Sequence, residues 1–186
     1  SGGGAGSLSA PWPPEVLEQI RSMQTLVFAA LRAEPPVEPA EIWKSLCART
    51  TNERARAFIP AAVMGCVLDV VREDPLKVTP ILNAIANRAT LLQLVSQPEG
   101  AGAGMMVLQA SMLSGVQKFC HDNGWPPGLM KKIFFLLYEK DIVFERGFLH
   151  WRESLVKMTP DKDEALLQVA EFFAWLETAD EEAGAE

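Results

Sequence analysis

Apolar residues recur at intervals of three and four along almost the whole chain, and runs of strict alternation rich in Val, Ile and Thr are missing, so the pattern predicts helices throughout and no strands. Proline and glycine supply the breaks, at Pro13-Pro14, Pro35-Pro36, Pro75, Pro80, the tract 100–104, Pro126-Pro127 and Pro160. Between them helices are predicted at about 14–33, 39–48, 52–73, 76–95, 103–122, 127–139, 145–157 and 160–179. Local chemistry supports several starts. Thr51 or Asn52 can cap the third helix, Pro127 suits a first turn, and Thr159-Pro160 followed by Asp161, Asp163 and Glu164 places negative charge at the last helix's N-terminus.

Seven or eight helices of modest length joined by short connections predict an all-α chain built as an atypical HEAT-repeat α-solenoid. No sequence period is visible, so a globular helical bundle is the competing architecture. The helix at 127–139 favours stacking. Leu129, Met130, Ile133, Leu136 and Leu137 form one stripe, while Phe134, Phe135 and Tyr138 occupy the remaining faces beside Lys131 and Lys132, as expected of a helix sandwiched on two sides. Met105, Leu108, Met112, Val116 and Phe119 make a simpler stripe that reads as core. One helical HEAT-type domain is expected over 12–182. It would be preceded at 1–11 by a Gly/Ser/Ala run that buries too little to order, read as a flexible linker or a cloning remnant, and followed at 183–186 by a disordered tail.

Composition narrows the function classes. A formal charge of −7 attracts cationic partners and repels nucleic-acid phosphate. Direct nucleic-acid binding is therefore not expected, although Arg49, Arg54 and Arg56, or Lys131 and Lys132, are the patches that an RNA-binding helical solenoid would use. Cys47, Cys66 and Cys120 are far apart and lack a CxxC pair, which reads as buried free thiols with no metal. The longest uncharged apolar stretch, 57–68, is too short to cross a bilayer. A cytoplasmic, monomeric protein needing no cofactor is expected. Catalysis is not: His121 falls in a predicted turn, His150 stands beside Trp151 without a spaced nucleophile or carboxylate, and Gly100, Gly102 and Gly104 follow no strand.

Two segments carry most of the information. In the first, carboxylates break into an aromatic run where a helix should end: Phe134-Phe135-Leu136-Leu137-Tyr138-Glu139-Lys140-Asp141-Ile142-Val143-Phe144-Glu145, then Phe148, Leu149 and Trp151. The second runs from Phe172-Phe173-Ala174-Trp175-Leu176-Glu177 into an acidic end with Asp180, Glu181 and Glu182. On a helical wheel Leu166, Val169, Ala170, Phe173 and Leu176 share an arc of about 120°, and Trp175 points roughly 160° from its centre. Trp175 then either packs on a second helix or stands at the surface as an aromatic anchor. Carboxylates at a helix C-terminus oppose its dipole, so either they serve a cationic ligand, with the nearby rings offering cation–π contacts, or they serve solubility alone.

These two aromatic/acidic boxes, with Trp151 and the ending from Trp175 to Glu182, resemble the C-terminal domain shared by eukaryotic translation initiation factor five, the epsilon subunit of factor two-B and the factor four gamma group. The resemblance covers Lys118 to Glu182, and before that it holds only helix for helix. The run from Phe119 to Met130 looks most like the four gamma branch, to which the death-associated protein belongs. The resemblance implies a HEAT-type fold and a non-catalytic adaptor that docks basic, Lys/Arg-rich segments of other proteins to regulate translation initiation. Implied partners are the beta subunit of initiation factor two, initiation factor three, or a kinase of the cap-binding protein; a factor-five or two-B-epsilon-like domain acting on initiation factor two is the alternative. Residue by residue, box one falls on Tyr138, Glu139, Asp141, Phe144 and Glu145, and box two on Trp175, Glu177, Asp180, Glu181 and Glu182. Lys140 interrupts the first box and Arg146 follows it, unlike the more acidic versions.

Overall fold

The computed structural model describes residues 14–154 and 161–183, with side chains described as far as residue 179. The expected leader at 1–11, the helix start at Thr159-Pro160 and the end of the tail lie outside the described residues. Among those described, every regular element is helical. The order is α1 (Pro14–Leu31), α2 (Pro39–Arg49), α3 (Glu53–Arg56), α4 (Ile59–Asp69), α5 (Val78–Asn87), α6 (Ala89–Ser96), α7 (Met105–Asp122), α8 (Leu129–Glu139), α9 (Glu145–Glu153), α10 (Lys162–Gln168) and α11 (Ala170–Ala183), with a 3-10 turn at Gly102–Gly104.

The helices form two layers. Helices α1, α4, α7 and α9 pack in sequence as one row, while α2, α6, α5, α8 and α11 make the second. Each chain step from the first row to the second and back is one helical hairpin stacked on the next, which is the HEAT-like arrangement expected from helix lengths and short connections. A continuous core runs through the stack, from Val16, Met23 and Val27 through Val63, Val67, Met112 and Val116 to Phe134, Trp151 and Phe172. The rows approach closely where glycine permits it: a Cβ on Gly115 of α7 would stand 2.7 Å from the Ala61 carbonyl oxygen of α4.

Three predicted helices are each two helices. The segment 52–73 breaks at Ala57-Phe58, because Pro60 in the first turn of α4 has no N–H to give back to α3. Asn52 does cap α3, its side-chain oxygen accepting from the N–H groups of Arg54 and Ala55. The segment 76–95 breaks at Arg88, whose backbone leaves helical geometry (φ −111°, ψ 16°) and whose guanidinium donates to the Leu31 carbonyl at 3.1 Å, satisfying an orphan acceptor at the end of α1. The segment 160–179 breaks at the fully buried Val169 (φ −113°, ψ 11°). A wheel drawn through that break misplaces residues: Ala170, expected in the buried stripe, is exposed, and Phe172, absent from the stripe, is fully buried.

Smaller corrections have local causes. Pro127 precedes α8 instead of opening it, since Gly128 takes the left-handed N-cap (φ 71°). His121 lies in the last turn of α7, not in a connecting turn. Cys66 and Cys120 are buried free thiols as expected, whereas Cys47 is only half-buried. No described helix is long and apolar enough to cross a membrane.

Candidate protein-docking site

Most aromatic residues of the two segments are core, whereas the rings assigned to the boxes themselves, Tyr138, Phe144 and Trp175, are not buried. Phe134, Phe148, Trp151 and Phe172 are fully buried. The Phe134 ring lies 5.2 Å from both Phe148 and Trp151 and 5.5 Å from Phe172, with edge-to-face or tilted geometry throughout. Trp151 and Phe173 are parallel to within 1° at 6.2 Å. These contacts lock α8, α9 and α11 together, so density of aromatic residues in this sequence is chiefly a packing signal.

At the edge of this cluster the rings reach solvent. Trp175 of α11 packs on Phe135 (5.1 Å) and edge-on against Tyr138 (5.3 Å), both on α8, yet stays 39% exposed. Trp175 thus packs on a second helix, the first of the two alternatives, and still presents a face outward. Tyr138 is half-buried against Phe148 and Trp175, and Glu139 beside it is exposed. The two boxes therefore meet through Tyr138 and Trp175.

Beyond Glu139 the chain turns. Asp141 adopts a left-handed backbone (φ 52°), tolerated by a short polar side chain, and is exposed. The turn is held from α6: Gln93 donates to the Lys140 carbonyl (2.9 Å), Gln97 to those of Asp141 (2.6 Å) and Ile142 (3.0 Å), and Ser96 to that of Ile142 (2.9 Å). Ile142 and Val143 then dive into the core. Phe144 re-emerges 41% exposed at the start of α9, its N–H fixed by the buried Gln109 side chain at 3.0 Å, and Glu145 is half-buried behind it. Sequence reasoning misses Gln93, Ser96, Gln97 and Gln109, because a glutamine or serine reads as solvated surface until the fold brings a carbonyl or N–H to it.

The carboxylates are not equivalent. Glu139 and Asp141 form no ion pair among the described residues. Glu177, at the start of the acidic end, accepts from Arg152 at 2.8 Å, and the Arg152 guanidinium also lies 4.9 Å from the Phe173 ring centroid. Glu171 is paired with Lys131. The side chains of Asp180, Glu181 and Glu182 lie outside the described residues. Of the cations considered for RNA, Lys131 is thus engaged by Glu171, and Arg56 donates to the Thr50 carbonyl at 2.8 Å. Lys162 sits over the Trp151 ring, 3.6 Å from its centroid, and burial pushes its ammonium down to about 8.

A stack of helical hairpins ending in an aromatic step edged by carboxylates defines an all-helical interaction-type domain of the HEAT class. The family described as W2: eIF4-gamma/eIF5/eIF2-epsilon matches residues 108–186. The chain is 38% identical over 79 residues to eukaryotic translation initiation factor 4 gamma 2 of Homo sapiens, a match covering 42% of this chain and 9% of that protein. It is 28% identical over 143 residues to eIF5-mimic protein 1 of Homo sapiens, covering 73% of this chain and 32% of the relative, and 29% identical to the Rattus norvegicus protein over the same length. The matches thus span less than a tenth of the first relative and about a third of the second.

Proposed function

We propose that the C-terminal face is a non-catalytic dock for a Lys/Arg-rich segment of another protein, and that the domain acts as an adaptor in translation initiation. The observation that carries this reading is the exposed step made by Trp175 and Tyr138 beside Glu139 and Asp141, carboxylates without an ion-pair partner among the described residues. A lysine or arginine of a docking chain finds ring faces for cation–π contact and carboxylates for charge-assisted hydrogen bonds within one surface. Phe144 offers a further exposed ring beyond the turn, and Asp180, Glu181 and Glu182 would add negative charge along the same terminal helix. The kinship with initiation factors points to partners of that system: the beta subunit of initiation factor two, initiation factor three, or a kinase of the cap-binding protein.

Titration with a fluorescent peptide of alternating Lys and Arg tests it. Binding is expected to weaken steadily as salt is raised from 50 to 300 mM, because exposed charge pairs are screened over about 8–10 Å at 0.1–0.15 M. Trp175→Ala and the pair Glu139→Gln, Asp141→Asn are each expected to lower affinity at constant far-UV circular dichroism. Salt-independent binding, or binding indifferent to all three changes, would sink the proposal.

A further inference from the structure

On α11 the positions of Trp175 and Glu177 are about 200° apart, so the indole leaves toward α8 and the carboxylate toward α9. There Glu177 meets Arg152, whose guanidinium donates to it while lying over the Phe173 ring. Carboxylate and aromatic face are the same two kinds of group that a basic ligand would use at this surface, and here the chain's own cation already fills both. Arg152 is about one-third exposed and Glu177 about two-thirds (33% and 63%), so the pair stands at the rim and not in the core. On the flank toward α8, Lys131 answers Glu171 in the same way.

We infer that Arg152 keeps Glu177 out of docking: with Glu177 held, the described part of box two contributes the ring of Trp175 and no carboxylate, and among the described residues charge recognition falls to the carboxylates of box one. This rests on the docking function proposed above. A partner cation approaching Glu177 must displace a guanidinium already placed, whereas one approaching Glu139 or Asp141 displaces water.

The test is a double-mutant cycle read by titration with the same Lys/Arg peptide at 100 mM salt, in wild type, Glu177→Gln, Arg152→Met and the double variant. Methionine retains an apolar stem over Phe173 and removes the charge. Glu177→Gln alone is expected to change affinity by less than about 2-fold; Arg152→Met is expected to tighten binding about 3- to 5-fold, the ceiling for a released surface ion pair. Adding Glu177→Gln to Arg152→Met should remove that gain. Arg152→Gln provides a second route to the same cycle should methionine lower the melting point below the assay temperature.

If the wild type binds in a salt-sensitive manner but Glu177→Gln weakens binding by the same factor in both backgrounds, Arg152 withholds nothing and this inference is overturned while the dock stands. If no variant shows salt-sensitive binding, the dock itself is refuted, and the role given to Arg152 with it.

Discussion

The indole N–H of Trp151 donates to the side-chain oxygen of Gln117 at 3.2 Å, and both residues are buried. This bond ties α9 to α7 through the middle of the first layer and explains a glutamine with 0% exposure in an otherwise apolar stripe. Gln117→Leu keeps the volume but strands the Trp151 donor. A loss of about 1–3 kcal/mol is expected, the cost of an unsatisfied buried polar group, read as a lower urea midpoint with unchanged helicity.

Two glycines on facing helices should respond in opposite directions. Gly115→Ala forces a methyl to 2.7 Å from the Ala61 carbonyl oxygen, a backbone atom that moves only with its helix, so destabilisation of about 1–3 kcal/mol is expected. Gly65, in α4, has open space where a Cβ would go; Gly65→Ala should stabilise by about 0.5–1 kcal/mol through helix propensity. Thermal melts of both variants beside wild type give the comparison directly.

Thiol reactivity follows burial. Desolvation pushes Cys66 and Cys120 up to about 12, and it raises Cys47 as well, against the pull of Arg56. At pH 8 the first two are thiolate in only about one molecule in ten thousand. Iodoacetamide on the native protein is expected to label Cys47 ahead of the others, at rates that rise with pH between 7 and 9. Guanidinium chloride should release all three, and mass spectrometry of peptides identifies the order.

Trp175 and Trp151 should separate function from stability. Trp151→Ala empties a buried site and is expected to cost about 3–5 kcal/mol. Trp175→Ala removes a ring already 39% exposed, so it should cost clearly less while weakening peptide binding. Parallel denaturation and titration of the two variants test that split; an equal loss of stability would make Trp175 a core residue first.

Spacing alone reveals the all-helical class and most helix centres, because periodicity, Pro126 and the Asn52 cap are local chemistry; Pro60 is a local mark too, but the apolar periodicity running through it hides the break between α3 and α4. The breaks at Arg88 and Val169 carry no comparable local mark. Arg88 ends α5 while reaching the Leu31 carbonyl, 57 positions away, and Val169 leaves helical geometry as a fully buried residue between α10 and α11. Windowed periodicity is blind to both.

The site divides along the same line. That aromatic rings and carboxylates gather in two boxes, that the chain carries excess negative charge, and that the ending resembles initiation-factor domains are properties of residue order and composition, fixed before any folding. Which rings become core and which stay at the surface, that Tyr138 meets Trp175, and that Glu177 finds Arg152 while Glu139 and Asp141 find no counter-ion among the described residues depend on contacts between segments 25 to 40 positions apart. Burial and charge pairing are relations among residues distant in sequence, and only the packed helices determine them.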